Sequence, residues 1–465
     1  MNIFYDICKK LPFYQELETA VIGGYTPVSL TGVSNIHKAH TVLGLSELSP
    51  VLVICDDESS ARRMTADINQ LADKELCCFY PAKDYNFAYL EGISMEYEHQ
   101  RIETLSKIKT GQCRIMAASC EACMQGTIPP DKLDEYSFEI SSGVEISVTD
   151  LTQKLVASGY VKSEQVEGQS QFSIRGSIID IFPVQSNQPV RIELWGDEVD
   201  LISYFNIESQ RRTDSIDKIT IRPALEIIFQ SNEWLANEIE KLEKEVRGKK
   251  SDKISSFLNN DIELLRSGIS LTNTDKYYML VYKEIYTVLD YFDGITVISE
   301  YQNCFEKSKG ILGQFSEDLK LMYEEGILFK QLDGFYYEFP QMMLNIEKKP
   351  LVFLDTFMRG GTDIRFKKLI NSNCYQTASW GGDIKQLIEE LTTFIEQKYC
   401  VIVFAGSEKT VPIIVNDLRE VGLPSEIYGE NSKIIPKMVY VRTGAVSGGF
   451  EYNDIKCALL TQMKA

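Results

Sequence analysis

Residues Gly168–Arg212, GQSQFSIRGSIIDIFPVQSNQPVRIELWGDEVDLISYFNIESQRR, decide how this chain is read. Apolar and polar residues alternate here with period two, as in strands that pack on one face and turn the other outward. In Val190–Trp195 the apolar set Val190, Ile192 and Leu194 points one way, while Arg191, Glu193 and Trp195 point the other. Gly196-Asp197 follows directly and predicts a tight hairpin turn. An arginine and a tryptophan on an outward strand face are residue types that dominate interface hot spots. The bland alternative is equally physical: Trp195 covers a small satellite core and Arg191 pairs with a nearby carboxylate. On spacing alone both readings stay open.

The residues around that strand carry a family resemblance. The pattern G-x-x-x-F-S-I-R-G-S-I-I-D-I-F-P, then P-V-R-I-E-L-W-G-D-E-V-D and E-S-Q-R, resembles domain 2 of bacterial transcription-repair coupling factors. It is also similar to the matching domain of excinuclease B, a component of nucleotide-excision repair. A second, shorter run, Phe79-Tyr-Pro through Gln100-Arg101, resembles the same family's F-x-P-A-x-D…Q-R segment. Between residues 224 and 348 the likeness is weak.

Bulk composition bounds the function classes. At 465 residues the chain has room for about three ordinary domains. Its 44% apolar and 25% charged content is that of an ordinary globular protein. No apolar run approaches a membrane span, and MNIFYDICKK lacks a signal-peptide pattern, so the expected compartment is the cytoplasm. The eleven cysteines are then expected to be reduced and mostly buried. A net charge of −19 argues against broad, sequence-independent nucleic-acid binding, which needs a basic surface. Asp150–Arg222 holds eleven acidic and eight basic residues, so this part is not basic either.

Strand and helix patterns alternate up to about residue 136. The apolar run Val51–Cys55 predicts a buried strand, Glu58–Leu71 and Glu98–Ile108 predict helices, and Arg114–Ala118 predicts another strand. Short alternating strands follow, with one helix over Asp150–Ser158 capped by Thr149 or Asp150 and stopped at Gly159. Residues 223–348 read as helical and charged, with EIEKLEKEVRGKKSDK the most solvated part and Ile295–Ser299 a strand. After Pro350 a further α/β unit is expected, with helices at Ile384–Gln397 and Glu408–Val421 around the strand Val401–Ala405. Leu459–Ala465 is expected to be its closing strand. The resemblance implies an α/β chain: a degenerate P-loop-NTPase-like parallel-sheet domain with an inserted small α+β domain, then a second small α/β domain. The boundaries are 1–136, 137–222, 223–348 and 349–465. The chain is expected to be the N-terminal part of a longer protein.

Excinuclease B is an ATPase, so the phosphate loop tests whether this chain is one. A working loop reads G-x-x-x-x-G-K-[ST], in which backbone amides cradle phosphate, Lys neutralises charge and the hydroxyl holds magnesium. Here the segment is Ser29-Leu-Thr31-Gly32-Val-Ser-Asn-Ile-His-Lys38-Ala, and only Thr31-Gly32 survives of the pattern. Lys38 is displaced, and the matching acidic position keeps a single carboxylate, Glu300. The expectation is no ATP hydrolysis and no cofactor; ATP and magnesium are implied only for motor domains absent from this sequence. Cys120-Glu-Ala-Cys123 is a lone C-x-x-C without a second pair, so no metal site is expected. His37 and His40 lie in the ruined loop and are expected to be solvated; His99 completes the histidines.

The resemblance implies a recruitment scaffold. In the family, domain 2 binds excinuclease A, and the carried-over candidates are Arg175 in S-I-R-G, Arg191 in V-R-I-E and Trp195 in E-L-W-G. Arg211 and Arg212 in S-Q-R-R are weaker candidates. The structural alternative for Arg175 is a salt bridge to Asp180 or Glu193. RNA polymerase and double-stranded DNA are expected partners of the full-length protein, whose C-terminal domain masks domain 2; no membrane is involved. The competing enzyme reading, the ATP-dependent excinuclease B itself, would need the intact loop and an aromatic-rich DNA-clamping hairpin. A DNA-binding module without catalysis would need basic and aromatic residues interleaved.

Overall fold

The computed structural model describes residues 2–85, 95–246, 252–269, 271, 274–328, 330–357, 364–429 and 432–462. Four strands open the chain: β1 (Val28–Thr31), β2 (Val51–Cys55), β3 (Cys77–Tyr80) and β4 (Ile115–Ser119). The insert follows with β5 (Phe138–Ser141), β6 (Val161–Lys162), β7 (Gln171–Arg175), β8 (Ile178–Ile181), β9 (Val190–Trp195), β10 (Glu198–Phe205), β11 (Arg212–Ile216) and β12 (Lys218–Ile221). The chain then returns through β13 (Ile295–Ser299), β14 (Leu351–Asp355) and β15 (Lys368–Asn371). It ends in β16 (Tyr375–Thr377), β17 (Cys400–Ala405), β18 (Ser425–Ile427), β19 (Val439–Thr443), β20 (Gly449–Tyr452) and β21 (Cys457–Thr461).

Among the described residues the first sheet is seven-stranded and all parallel, in the order β15-β1-β14-β13-β2-β4-β3. Such a sheet is covered on both faces, so β1–β4, β13 and β14 are buried along almost their whole length rather than alternating, while the edge strand β15 buries only Ile370. The insert carries a six-stranded sheet, β11-β10-β9-β8-β7-β6, and a two-stranded neck in which β5 pairs with β12. The last unit is a mixed six-stranded sheet, β16-β20-β21-β17-β19-β18. The α/β class and the inserted α+β unit agree with the sequence reading.

Successive residues of β2 feed different cores. Val51, Val53 and Cys55 pack on the side shared with the first two helices, Ile3–Lys10 and Pro12–Ile22, and the last sheet. Leu52 and Ile54 pack on the side shared with the insert's Phe172, Ile179 and Ile192. Fully burying one such side chain is worth about 1.5–3 kcal/mol. The helix Glu58–Ala72 starts where the Ser60 amide donates to the Asp57 carboxylate at 2.8 Å, and it buries Ala61, Met64, Ile68 and Leu71.

Four expectations need correction. The seam at 348/349 falls inside the first sheet, because the apolar run Leu351–Asp355 docks between β1 and β13 and Lys368–Asn371 adds beside β1. A fully buried run carries no periodicity that says which sheet it joins. The insert's helix spans Val148–Ala157 and is capped earlier than expected, by Ser147, whose hydroxyl accepts from the Asp150 amide at 3.2 Å. Cys78 and Cys113 form a disulfide rather than two thiols. His37 and His40 are buried, not solvated.

His40 sits between the first and last sheets. Its ring stacks on Phe450 at 5.2 Å, Nε2 lies 2.7 Å from the Phe4 carbonyl, and Nδ1 lies 2.9 Å from the Tyr452 hydroxyl. Burial lowers its pKa to about 4, and burial with the neighbouring His40 takes His37 to about 3. In the unfolded chain an imidazole titrates near 6.5. The unfolded state therefore binds the extra proton between pH 6.5 and 4, so stability from neutral His40 is complete above 6.5 and lost as pH falls. His40→Gln is expected to remove up to roughly 1.4 kcal/mol per pH unit of the wild-type acid slope below 6.5. Urea unfolding of both proteins at pH 7 and pH 5 measures it; equal slopes would refute the assignment.

Leu459–Thr461 lies in β21 as expected, while Met463–Ala465 fall outside the described residues, as do residues 86–94 of the F-x-P…Q-R run and part of EIEKLEKEVRGKKSDK. No helix among the described residues is long and apolar enough to cross a membrane.

Candidate functional site

The insert turns its apolar set Ile179, Ile192 and Ile202 inward, and these residues stand in register across β8, β9 and β10. The opposite face then aligns Ser173, Asp180, Arg191 and Ser203 across β7–β10. Asp180 is 1% exposed and serves two arginines. Arg191 donates from Nε and Nη2 to its two carboxylate oxygens at 2.7 and 2.9 Å, and Arg175 donates from Nη2 at 2.6 Å. Bidentate pairs of this kind fix guanidinium orientation as well as charge. Arg191 is held further by the Phe205 ring, 4.4 Å from its guanidinium carbon, and by Gln210, whose carbonyl and side-chain oxygens accept at 3.1 and 3.0 Å.

The five candidate residues thus separate by role. Arg191 is mostly buried and paired to a carboxylate, the bland alternative for that residue. Arg175 uses Asp180, one of its two expected partners, yet its side chain stays 46% exposed. Trp195 covers no satellite core: it is 82% exposed beside Gly196, which turns the hairpin with φ +66°. Arg212 forms an ion pair with Glu193, and Arg211 is exposed. Phe205 and Gln210 were missed; neither shows a pattern that marks it, because both act through a partner distant in sequence.

The ruined phosphate loop links β1 to the helix Asn35–Leu45. Lys38 and Glu300, separate in sequence, meet there: Nζ donates to Oε1 at 2.5 Å, with Lys38 fully buried. The Thr356 amide donates to the same oxygen at 2.9 Å. Burial would raise the Glu300 carboxyl, but Lys38 and Thr356 outweigh it and hold it below its ordinary value. Thr31 and Gly32 turn instead to the end of β15. The Thr31 hydroxyl lies 3.1 Å from Asn371 Oδ1, and a Cβ on Gly32 would stand 2.6 Å from the Ser372 carbonyl oxygen. A cavity of about 310 Å³ adjoins the ion pair, and Asp56, Asp67 and Glu300 among its walls outnumber Arg63. The lysine that would meet a phosphate is already neutralised by a carboxylate.

A third cluster locks the insert to the first sheet. Arg101, fully buried, donates to Glu226 at 2.8 Å, to the Pro81 and Gly126 carbonyls, and lies 4.4 Å over the Tyr80 ring. Lys83 approaches Asp275, Glu226 and Glu98 at 2.6, 3.3 and 3.8 Å. Burial is the main force that raises the Glu98 carboxyl to about 7. The C-x-x-C at Cys120–Cys123 lies buried on the short helix Cys120–Met124.

Residues 138–226, from the neck to the buried Glu226, match the family model described as the UvrB interaction domain. The transcription-repair-coupling factor of Bacillus subtilis (strain 168) is 25% identical over 423 residues, 89% of this chain and 36% of that protein. That of Staphylococcus haemolyticus is 25% identical over 97% of this chain and 39% of its own length. That of Staphylococcus aureus (strain MRSA252) is 23% identical over 99% of this chain and 40% of its own length. The chain therefore spans about two-fifths of the length of these relatives. The resemblance first legible in Gly168–Arg212 extends over nearly the whole sequence: this chain is similar throughout to transcription-repair-coupling factors and carries the match to the UvrB interaction domain in its insert.

Proposed function

We propose that this chain is a non-catalytic scaffold of transcription-coupled nucleotide-excision repair that recruits excinuclease A through the outward face of its insert. The observation that carries the reading is Trp195, 82% exposed at the hairpin end of the same strand whose arginine is locked by Asp180. A large ring on a pre-set backbone loses little freedom on binding, which makes it a good anchor. The Lys38–Glu300 pair supports the non-catalytic half: phosphate would have to displace a carboxylate already bonded to the lysine.

Binding of excinuclease A to wild type, Trp195→Ala and Arg175→Ala tests this by calorimetry. Trp195 is exposed enough for its truncation to change stability by less than ~0.5 kcal/mol, whereas Arg175→Ala also removes one of the three hydrogen bonds to buried Asp180, so its unfolding is measured beside its binding. Trp195→Ala is expected to weaken binding at least ~10-fold, about 1.4 kcal/mol. Affinity unchanged in both variants would overturn the assignment. Arg191→Glu is unsuited to this purpose, since it would set a second carboxylate against buried Asp180.

A further inference from the structure

Cys78 and Cys113 are 35 residues apart and meet at the edge of the first sheet. Glu75 lies with them: its carboxylate and the two sulfurs are all within 4.8 Å of one another. The main chain fixes both cysteines independently of the sulfur–sulfur bond. Cys78 stands in register with Met116 across β3 and β4. The Cys113 amide donates to the Lys107 carbonyl at 3.2 Å, and the next amide, Arg114, donates to the Leu76 carbonyl at 3.1 Å. Breaking the disulfide therefore leaves two thiols side by side, with an exposed carboxylate at their mouth. The Lys107 ammonium holds that carboxylate at 2.8 Å but also has Glu103 at 2.9 Å, so it can release Glu75 without losing an ion-pair partner.

We infer that Glu75, Cys78 and Cys113, once the disulfide is reduced, form a binding site for a thiophilic divalent cation of the zinc class, and that disulfide and metal exclude each other. Two thiolates and one carboxylate favour zinc over magnesium or calcium, and water would complete a tetrahedron. A dithiol reductant supplies two electrons and two protons, breaks the sulfur–sulfur bond and is itself oxidised to a disulfide. Zinc binding then releases the two thiol protons to solvent. In the reverse direction a low-molecular-weight disulfide takes two electrons from the thiolates, the Cys78–Cys113 bond re-forms, and the cation leaves. Two small thiols are the other product, formed with two protons from solvent.

The test uses the full chain, reduced with a phosphine and freed of metal, or oxidised with a small disulfide. Each form is titrated with Zn²⁺ against a chromogenic chelator. Reduced wild type is expected to take up about one Zn²⁺ per chain beyond the Cys78→Ser/Cys113→Ser background, and oxidised wild type none. Glu75→Gln, a change at an exposed side chain that leaves the fold alone, is expected to weaken uptake by reduced protein. Equal uptake by the reduced and oxidised wild type would overturn the inference without reference to any variant. So would reduced wild type matching the double variant, or Glu75→Gln binding Zn²⁺ as tightly as wild type.

Discussion

Glu226→Gln is expected to lower the unfolding free energy by about 3–5 kcal/mol, the cost of breaking a buried ion pair from one side. The substitution keeps shape and removes charge, so packing is not the cause. Arg101 would remain fully buried with its Nε facing an amide, after losing the carboxylate 2.8 Å away. The one remaining oxygen can still accept from Arg101 and Thr127, but the other position becomes an NH2 turned toward Lys83, which would keep Asp275 and Glu98. Urea unfolding at neutral pH measures the loss, and a change below ~1 kcal/mol would show that the cluster relaxes around the neutral amide. The carboxyl of Glu98 reports the same event. With the Glu226 charge gone, one of the forces that raise it toward 7 disappears, and its titration should move down.

Asp180→Ala is expected to cost about 2–4 kcal/mol and, with it, the proposed excinuclease A-binding face of the insert. Asp180 anchors two guanidinium groups through three hydrogen bonds. Without it Arg191 would stand mostly buried against Phe205, left with the Gln210 oxygens as acceptors. Arg175, already half-exposed, would turn to solvent. Thermal unfolding and binding to excinuclease A should therefore fall together in this variant, whereas Trp195→Ala changes binding alone. Stable Asp180→Ala protein with undiminished binding would deny the face any role.

Much of the fold was legible because periodicity reports burial. Val190–Trp195 alternates in the structure as its apolar residues predict, and the fully apolar Val51–Cys55 is a central strand. What stayed hidden was partnership. Cys78 gives no hint of Cys113, because adjacency of β3 and β4 is a property of the sheet and not of spacing along the chain. Leu351–Asp355 reads as the start of a new unit, since a two-faced buried strand looks alike in any parallel sheet. His37 and His40 belong to a helix buried from Ile36 to Leu45 among the helix Glu58–Ala72, the helix Ile3–Lys10, the first sheet and β20, neighbours no local pattern announces. The degenerate phosphate loop was visible as missing residues, but that Lys38 finds Glu300 there is a tertiary fact. At the insert, the outward set was legible from alternation, while the division of labour among its arginines was set by Asp180.

The alternation along Val51–Cys55 also has a mechanical side. One core continues from this strand toward the insert and the other toward the last sheet, so a single sheet separates them. A load placed on the insert enters that layer from one side, and a load on the last sheet enters from the other. Strand β2 is bonded in parallel to β13 and β4, so either load spreads sideways through main-chain ladders before any side chain must slip. The chain should then act as a stiff spacer: whatever grips the insert is held at a set distance and angle from whatever is fastened to the far sheet.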